Sequence, residues 1–212
     1  MITDKVIKIF LLIGFIIIIF SISLITNEYK NLTPLASPTK TVDKPAFHLP
    51  IIPIYLQNDP RWKNELIGGS QQTLGAVGCT VCCVSMALAH YGIDLPPPQL
   101  NELLKANNGY TSQGWLKWQT ISQLTHSQIN FTIAAQPKTA VIDTALQLGQ
   151  PVIAKILLYG IFPHWVLIVG KHGPDYLIKD PLGDGKSLTQ FSHQNRIYAI
   201  RVVENRNSLH KP

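Results

Sequence analysis

The sequence predicts an α+β fold in which N-terminal helices pack on a C-terminal antiparallel sheet. Between residues 79 and 148, apolar side chains recur every three or four positions, which is the period of an α-helix. Beyond residue 150, the chain consists of short apolar runs separated by Gly, Pro and Asp, which is typical of strands. Because the helical segments come first and do not alternate with the strands, we expect an α+β arrangement.

Four helices are expected in the first half of the folded region, at residues 79–91, 98–105, 115–124 and 141–148. The first has the strongest pattern, because Val81, Val84 and Leu88 recur at three- and four-residue steps. Gly92 ends that pattern, as a glycine after the last helical turn commonly does. The third helix is predicted from apolar residues spaced by three, beginning at Trp115.

Four strands are expected in the second half, at residues 151–158, 164–170, 176–179 and 197–203. Each run has the length of a strand and is bounded by residues that favour turns. With the four helices and the apolar, β-branched entry segment from Ile51 to Leu56, these strands place the folded domain at residues 51–204.

An apolar segment near the N-terminus predicts a membrane span. From Ile9 to Ile25 the chain has 17 residues without a charge, just enough for a helix to cross a bilayer core. No small-x-small cleavage motif follows directly, so residues 1–26 are interpreted as an uncleaved signal anchor; a cleaved segment would instead give a secreted protein. Lys5 and Lys8 precede the span, which favours a cytoplasmic N-terminus and an extracytoplasmic domain.

Two polar segments flank the predicted domain. Residues 27–50 are rich in Thr, Pro, Ser and Lys, which is typical of an extended linker, and residues 205–212 form a basic tail. The net charge of +6 is assigned partly to lysines of the linker and partly to the tail, counted from Arg201 onward. No basic run is interleaved with aromatic residues, so nucleic acid is not an expected partner.

Cys79 is the strongest candidate for a nucleophile. It follows Gly78 and begins the first predicted helix, where the helix dipole and free backbone N–H groups favour a thiolate and an oxyanion. Cys82 and Cys83 lie inside the helix and are interpreted as packing residues. A zinc site is a weaker alternative, because no second ligand cluster accompanies these cysteines. A redox Cys-x-x-Cys pair is another weaker alternative, and it would leave one of the three cysteines over.

His164 and Asp180 are the candidates for the base and its orienting acid. His164 begins an apolar strand, and Asp180 lies 16 residues later, enough for two strands to bring the side chains together. The order Cys, His, Asp has the logic of a hydrolase triad. Two alternatives stay open: Asp180 simply forms a turn with the next proline, or His172 pairs with Asp175 inside the hairpin.

Several ordered motifs resemble one family. These are the run IPIYLQNDPRW ending at Trp62, the Gly78-Cys79 pair with Met86 and Tyr91-Gly92 downstream, HWVLIVG from His164, and YLIKDP ending at Pro181. The chain resembles the papain-like bacteriocin-processing (double-glycine) cysteine peptidases, and is most similar to their stand-alone exported relatives. The resemblance implies a papain-like fold, with nucleophile Cys79, base His164 and orienting Asp180. It also implies that Gln57 helps to form the oxyanion hole.

The family resemblance gives a functional expectation. The chain is expected to be a membrane-anchored, extracytoplasmic cysteine peptidase that acts on a peptide or protein and requires no cofactor or metal. One departure from the family is Thr80-Val81-Cys82, where a small residue, Pro and Thr are usual after the cysteine. Two alternatives are a cell-wall amidase-like hydrolase and a catalytically silent domain that binds peptides or wall polymers.

Overall fold

A computed structural model describes residues 46–50, 52–134, 136–185 and 188–207. The predicted signal anchor, most of the predicted linker and the end of the basic tail lie outside these residues. Within the described part, we find no helix with the length and apolar character needed to cross a membrane.

Five helices are present in the described residues: α1 (Leu74–Val77), α2 (Cys79–His90), α3 (Pro97–Ala106), α4 (Trp118–Leu124) and α5 (Thr139–Gln147). A threonine caps α1, since the Thr73 side chain accepts a hydrogen bond from the N–H of Ala76 at 3.3 Å. A proline occupies the first position of α3, where its fixed φ suits a helix start.

In the part of the chain that the structure describes, seven strands form one antiparallel sheet: β1 (Phe47–His48), β2 (Ile129–Ile133), β3 (Val152–Leu158), β4 (Phe162–His172), β5 (Asp175–Lys179), β6 (Thr189–Phe191) and β7 (Ala199–Asn205). Six of them follow the order β2-β7-β3-β4-β5-β6. The short β1 pairs with the end of β4, where Gly170 faces His48. A side chain at Gly170 would meet the carbonyl oxygen of Phe47, so this close pairing requires glycine.

Helix α2 is the central helix of the fold. Eight of its residues from Val81 to Leu88 are buried, and it packs against β4 within the same apolar core as β3. A helix that is apolar on all sides must be covered on all sides, which explains why sheet and helices both surround it. This packing places α2 beside β4, the strand that carries His164.

The mixed helical and antiparallel-sheet fold confirms the predicted α+β class, with several differences in detail. The short elements α1, β1 and β6 were not predicted. Helix α4 begins at Trp118, so the prediction of a helix from Trp115 was wrong. Trp115 is 71% exposed and lies in a loop that is closed by hydrogen bonds between Thr111 and Trp115 in both directions. Strand β2 was not predicted; it pairs with β7, so the helices do not all precede the sheet.

Candidate active site

Cys79 is the first residue of α2, as the sequence predicts. The ladder of hydrogen bonds in α2 begins with the N–H of Cys82, which donates to the carbonyl oxygen of Gly78 at 3.0 Å. The N–H of Cys79 therefore has no acceptor inside the helix, as is usual in a first turn. A backbone donor next to the thiol can stabilise a negative oxygen that forms on an attacked carbonyl.

Glycine is required immediately before Cys79. The N–H of Gly78 donates to the carbonyl oxygen of Leu74 at 2.7 Å, which joins α1 to α2 through a tight turn. A side chain at Gly78 would lie 2.4 Å from that same oxygen. The helix therefore starts at Cys79 despite the unusual Thr80-Val81-Cys82 sequence that follows.

His164 and Asp180 form a close pair. His164 Nε2 lies 2.6 Å from Asp180 Oδ1, and the histidine is only 2% exposed. Because Nε2 is engaged by the carboxylate, Nδ1 is the ring nitrogen left for Cys79. The Cys79 Sγ lies 4.0 Å from the carbonyl oxygen of Val77. The same Asp180 oxygen accepts the N–H of Leu182 at 2.8 Å, which fixes the carboxylate in the turn after β5.

A β-bulge in β4 places Asp180 on the same face of the sheet as His164. The register of β4 with β5 shifts between Ile168 and Gly170, so Leu167 is opposite Lys179. Asp180 then follows on the face that carries His164, two positions away diagonally, where side chains can touch. Without the extra residue, Lys179 would take that face and Asp180 would point to the other side.

The alternative acid, Asp175, belongs to a different pair. Although His172 and Asp175 are opposite each other at the start of the β4–β5 hairpin, the Asp175 carboxylate lies 2.7 Å from His193 Nδ1. It also accepts the backbone N–H of His193 and the side-chain amide of Gln190. These bonds lower the pKa of Asp175 to about 2. The structure therefore brings Asp180, and not Asp175, to His164.

Burial and hydrogen bonding act in opposite directions on the pKa of His164. Burial lowers it, whereas the hydrogen bond to Asp180 and the interaction with Cys79 raise it, and the resulting pKa is about 9. Burial raises the pKa of Asp180, but hydrogen bonds from His164 and from the Leu182 N–H lower it below its ordinary value. The raised pKa of His164 and the lowered pKa of Asp180 both favour a charged imidazolium beside a carboxylate at neutral pH.

Gln57 lines the same site as Cys79 and His164. Its Nε2 donates to the carbonyl oxygen of Gly75 at 2.9 Å, which leaves the second hydrogen of that amide nitrogen for another acceptor. Its backbone N–H donates to the carbonyl oxygen of Pro181 at 3.0 Å, so the Gln57 segment is tied to the turn that holds Asp180. Gln57 therefore lies close to the same turn as the candidate acid.

Cys82 and Cys83 differ from Cys79 in their surroundings. Both are completely buried, and burial raises their pKa values well above that of an ordinary thiol. Cys83 Sγ donates to the carbonyl oxygen of Trp165 at 3.4 Å, which is the contact of a packing residue. All three cysteines are free thiols, and the part of the chain seen in the structure contains no cluster of three metal-ligating side chains.

Cys79, His164 and Gln57 line one cleft with a volume of about 760 Å³. The cleft also contains residues that the sequence analysis did not assign to the site, among them Lys155 and Arg201. Arg201 was counted with the basic tail, but the structure places it in β7. The sequence feature that could have indicated these two residues is a single cation within each of two otherwise apolar strands.

A sequence model of the peptidase C39 family matches residues 72–204, more than half of the chain. The chain belongs to the peptidase C39 family. This result confirms the resemblance that the motifs indicated. Membership of the C39 family implies cysteine peptidase activity and a peptide substrate. The matched region includes Cys79, His164 and Asp180, whereas Gln57 precedes it.

Two similar proteins fit this C39 membership. The Mesentericin-Y105 transport/processing ATP-binding protein MesD of Leuconostoc mesenteroides is 28% identical over 138 residues, which cover 63% of this chain and 18% of that protein. This chain thus spans less than a fifth of that relative. A crystal structure described as a C39-like peptidase from Bacillus anthracis has a TM-score of 0.53 and 15% identity, covering 76% of this chain and 99% of the other. That second likeness shows the fold.

Proposed function

We propose that this protein is a papain-like cysteine peptidase in which Cys79, His164 and Asp180 form the catalytic triad. The observation that carries the proposal is the 2.6 Å contact between His164 Nε2 and Asp180 Oδ1, beside a cysteine at a helix start. This contact supports His164 as the base and Asp180 as its orienting acid, in the order that a hydrolase triad requires. Membership of the C39 family supports the same chemistry.

The chemistry proceeds in two stages. The Cys79 sulfur attacks the carbonyl carbon of the peptide bond, and the N–H of Cys79 and the side chain of Gln57 stabilise the oxyanion. The C–N bond then breaks, and His164 gives its proton to the leaving amine. In the second stage, His164 takes a proton from water, whose oxygen attacks the acyl-thioester. The C–S bond then breaks, which releases the acid and leaves the Cys79 thiolate beside the protonated His164.

We place the enzyme at a membrane, with its catalytic domain outside the cytoplasm. This part of the proposal rests on the uncharged run from Ile9 to Ile25 and on the two lysines before it. A reporter that is active only in the cytoplasm, fused after Pro212, should give no signal. A cytoplasmic signal would refute the orientation, and a mature N-terminus near Asn27 or Ser37 would refute the anchor.

Labelling with a peptidyl electrophile tests the nucleophile. In the folded protein, mass spectrometry should locate the label on Cys79 and not on Cys82 or Cys83, because the last two are fully buried. Unfolded protein is the control, since all three thiols should then react at similar rates. Equal labelling of the three cysteines in the folded protein would contradict the assignment, and an unreactive Cys79 in a domain that still binds peptides would indicate a silent binding domain.

The pH dependence of hydrolysis tests the ion pair. We expect kcat/KM to fall about tenfold per pH unit above a pH of about 9, because His164 then loses the proton that the leaving amine needs. A pKa raised above the ordinary value of 6.5 means that the charged form persists at neutral pH and is lost only as the pH passes about 9. His193→Gln, which disrupts the other histidine–aspartate pair, is the matched control and should leave this limb unchanged. A limb centred near pH 6.5 in the wild type would contradict the pairing of His164 with Asp180.

A further inference from the structure

Two cations lie in the candidate cleft on neighbouring strands. Lys155 belongs to β3 and Arg201 to β7, and the register pairs Arg201 with Ile153, two residues before Lys155. Because paired residues share a face of the sheet and alternate residues of a strand do too, both cations lie on one face. Lys155 is paired with Trp165, so this is the face opposite to that of His164. Both cations line the same cleft as Cys79 and His164.

Neither cation has an acidic partner within the described residues. In these residues, the ion pairs formed by lysine or arginine side chains join Arg61 to Asp59 and Lys171 to Asp143. No aspartate or glutamate is among the residues that line the cleft. Arg201 Nη1 donates to the carbonyl oxygen of Ile200 at 2.8 Å, but Arg201 Nε is buried without an acceptor. A guanidinium has five N–H donors, so most of those on Arg201 have no acceptor among the described residues.

Two tryptophans hold the Arg201 guanidinium in place. Its central carbon lies 5.3 Å from the ring centre of Trp118 and 5.5 Å from that of Trp165. Contacts of this length over aromatic rings attract a cation and restrict its motion. Burial lowers the pKa of Arg201, which reflects the cost of keeping this charge away from water, and no neighbouring carboxylate opposes that cost. The group is thus restricted in its motion and has no carboxylate counterion within the described parts of the chain.

We propose that Lys155 and Arg201 form a subsite that binds a carboxylate of the peptide substrate. The carboxylate belongs either to an aspartate or glutamate side chain or to the C-terminus of the peptide. A planar guanidinium fits a carboxylate through two parallel hydrogen bonds, and Lys155 adds a second positive charge. This inference rests on the proposed peptidase function and assigns part of its specificity to β3 and β7.

Cleavage of a peptide mixture tests the subsite. Peptides from a digested bacterial proteome are incubated with the wild type and with Cys79→Ala, and the new ends are mapped by mass spectrometry. We expect the wild type to favour cleavage at a fixed distance from an acidic residue or from the C-terminus. The best substrate is then made in four forms, with the acidic residue or its amide (Gln for Glu, Asn for Asp) and with a free or amidated C-terminus. These forms distinguish a side-chain carboxylate from a terminal one.

Variants of Lys155 connect the preference to the cleft. Lys155→Met should reduce the kcat/KM ratio of the carboxylate form to its amide form by about tenfold to a hundredfold, the usual range for a charged hydrogen bond. Lys155→Glu should invert the preference toward peptides with lysine in place of the acidic residue. Lys138→Met removes an exposed lysine outside the cleft and should change nothing. Arg201→Gln should act like Lys155→Met, once circular dichroism has shown that it folds.

The outcomes separate the two proposals. Cleavage that depends on Cys79 but ignores the carboxylate, or a preference that survives in both Lys155 variants, would overturn the carboxylate subsite and leave the peptidase intact. Cleavage that is the same in the wild type and in Cys79→Ala, or that is absent from both, would overturn the peptidase proposal and the subsite with it.

Discussion

Replacement of Cys79 by alanine, or of His164 by alanine, is expected to reduce peptide hydrolysis to background. Each change removes a group without which the acyl-thioester does not form: the nucleophile in one case, the proton carrier in the other. Loss of the nucleophile or the base of a hydrolase triad costs roughly 10⁶-fold in kcat, and the double variant should be hardly worse than either single one. Single-turnover and steady-state rates of the four proteins give the measurement.

Cys82→Ala is the matched control for this experiment. Cys82 lies one helical turn beyond Cys79 on the same helix but is completely buried, so its replacement affects packing and not chemistry. The control should keep a rate close to that of the wild type, with a modest loss of thermal stability from the small cavity. Full activity in Cys79→Ala would refute the peptidase proposal, whatever the control does.

The sequence was most informative about site residues whose position in a helix or strand is set by their neighbours in the chain. Cys79 could be distinguished from Cys82 and Cys83 because the glycine before it and the apolar pattern after it fix the start of a helix. His164 could be selected because it begins a strand that the sequence pattern predicts well. These features depend on neighbours within a few residues, which are visible without knowledge of the fold.

Features that depend on register could not be predicted in the same way. The bulge between Ile168 and Gly170 decides which face Asp180 takes, and nothing in the apolar run of β4 marks the extra residue. Helix α4 begins late because Trp115 is held in a loop by hydrogen bonds that helical periodicity does not reveal. Strand β2 is only five residues long and gains its stability from pairing with β7, which lies some seventy residues later in the chain.

The position of the two cations in the cleft could not be predicted from the sequence for a related reason. Lys155 and Arg201 lie 46 positions apart in sequence and meet only because β3 and β7 are neighbours in the sheet. Counting Arg201 with the basic tail treated its charge as exposed to solvent, whereas the structure places the side chain in the cleft. A charged residue inside an otherwise apolar strand indicates either an edge strand of the sheet or a functional site. The order of the strands in the sheet shows which of the two applies.

Loss of the Asp180 carboxylate should reduce kcat/KM by up to about 10⁴-fold, the second largest effect that we expect. In Asp180→Ala, His164 Nε2 loses its acceptor, so the imidazole is no longer held in the tautomer and orientation that Cys79 needs. Asp175→Ala is the matched control, because Asp175 holds His193 in a contact of similar length, 2.7 Å, away from the cleft. It should leave kcat/KM near that of the wild type, although β5 and its turn lose stability.

Asp180→Asn separates the role of the charge from the role of the acceptor. The amide oxygen can still accept from His164 Nε2 and from the Leu182 N–H, as the orienting asparagine of Cys-His-Asn sites does. We therefore expect a smaller loss of rate than in Asp180→Ala. The alkaline limb should move down from a pH of about 9, because the carboxylate no longer raises the pKa of His164. If Asp180→Ala were silent while Asp175→Ala abolished activity, the acid would lie in the hairpin, and the 2.6 Å pair would have only a structural role.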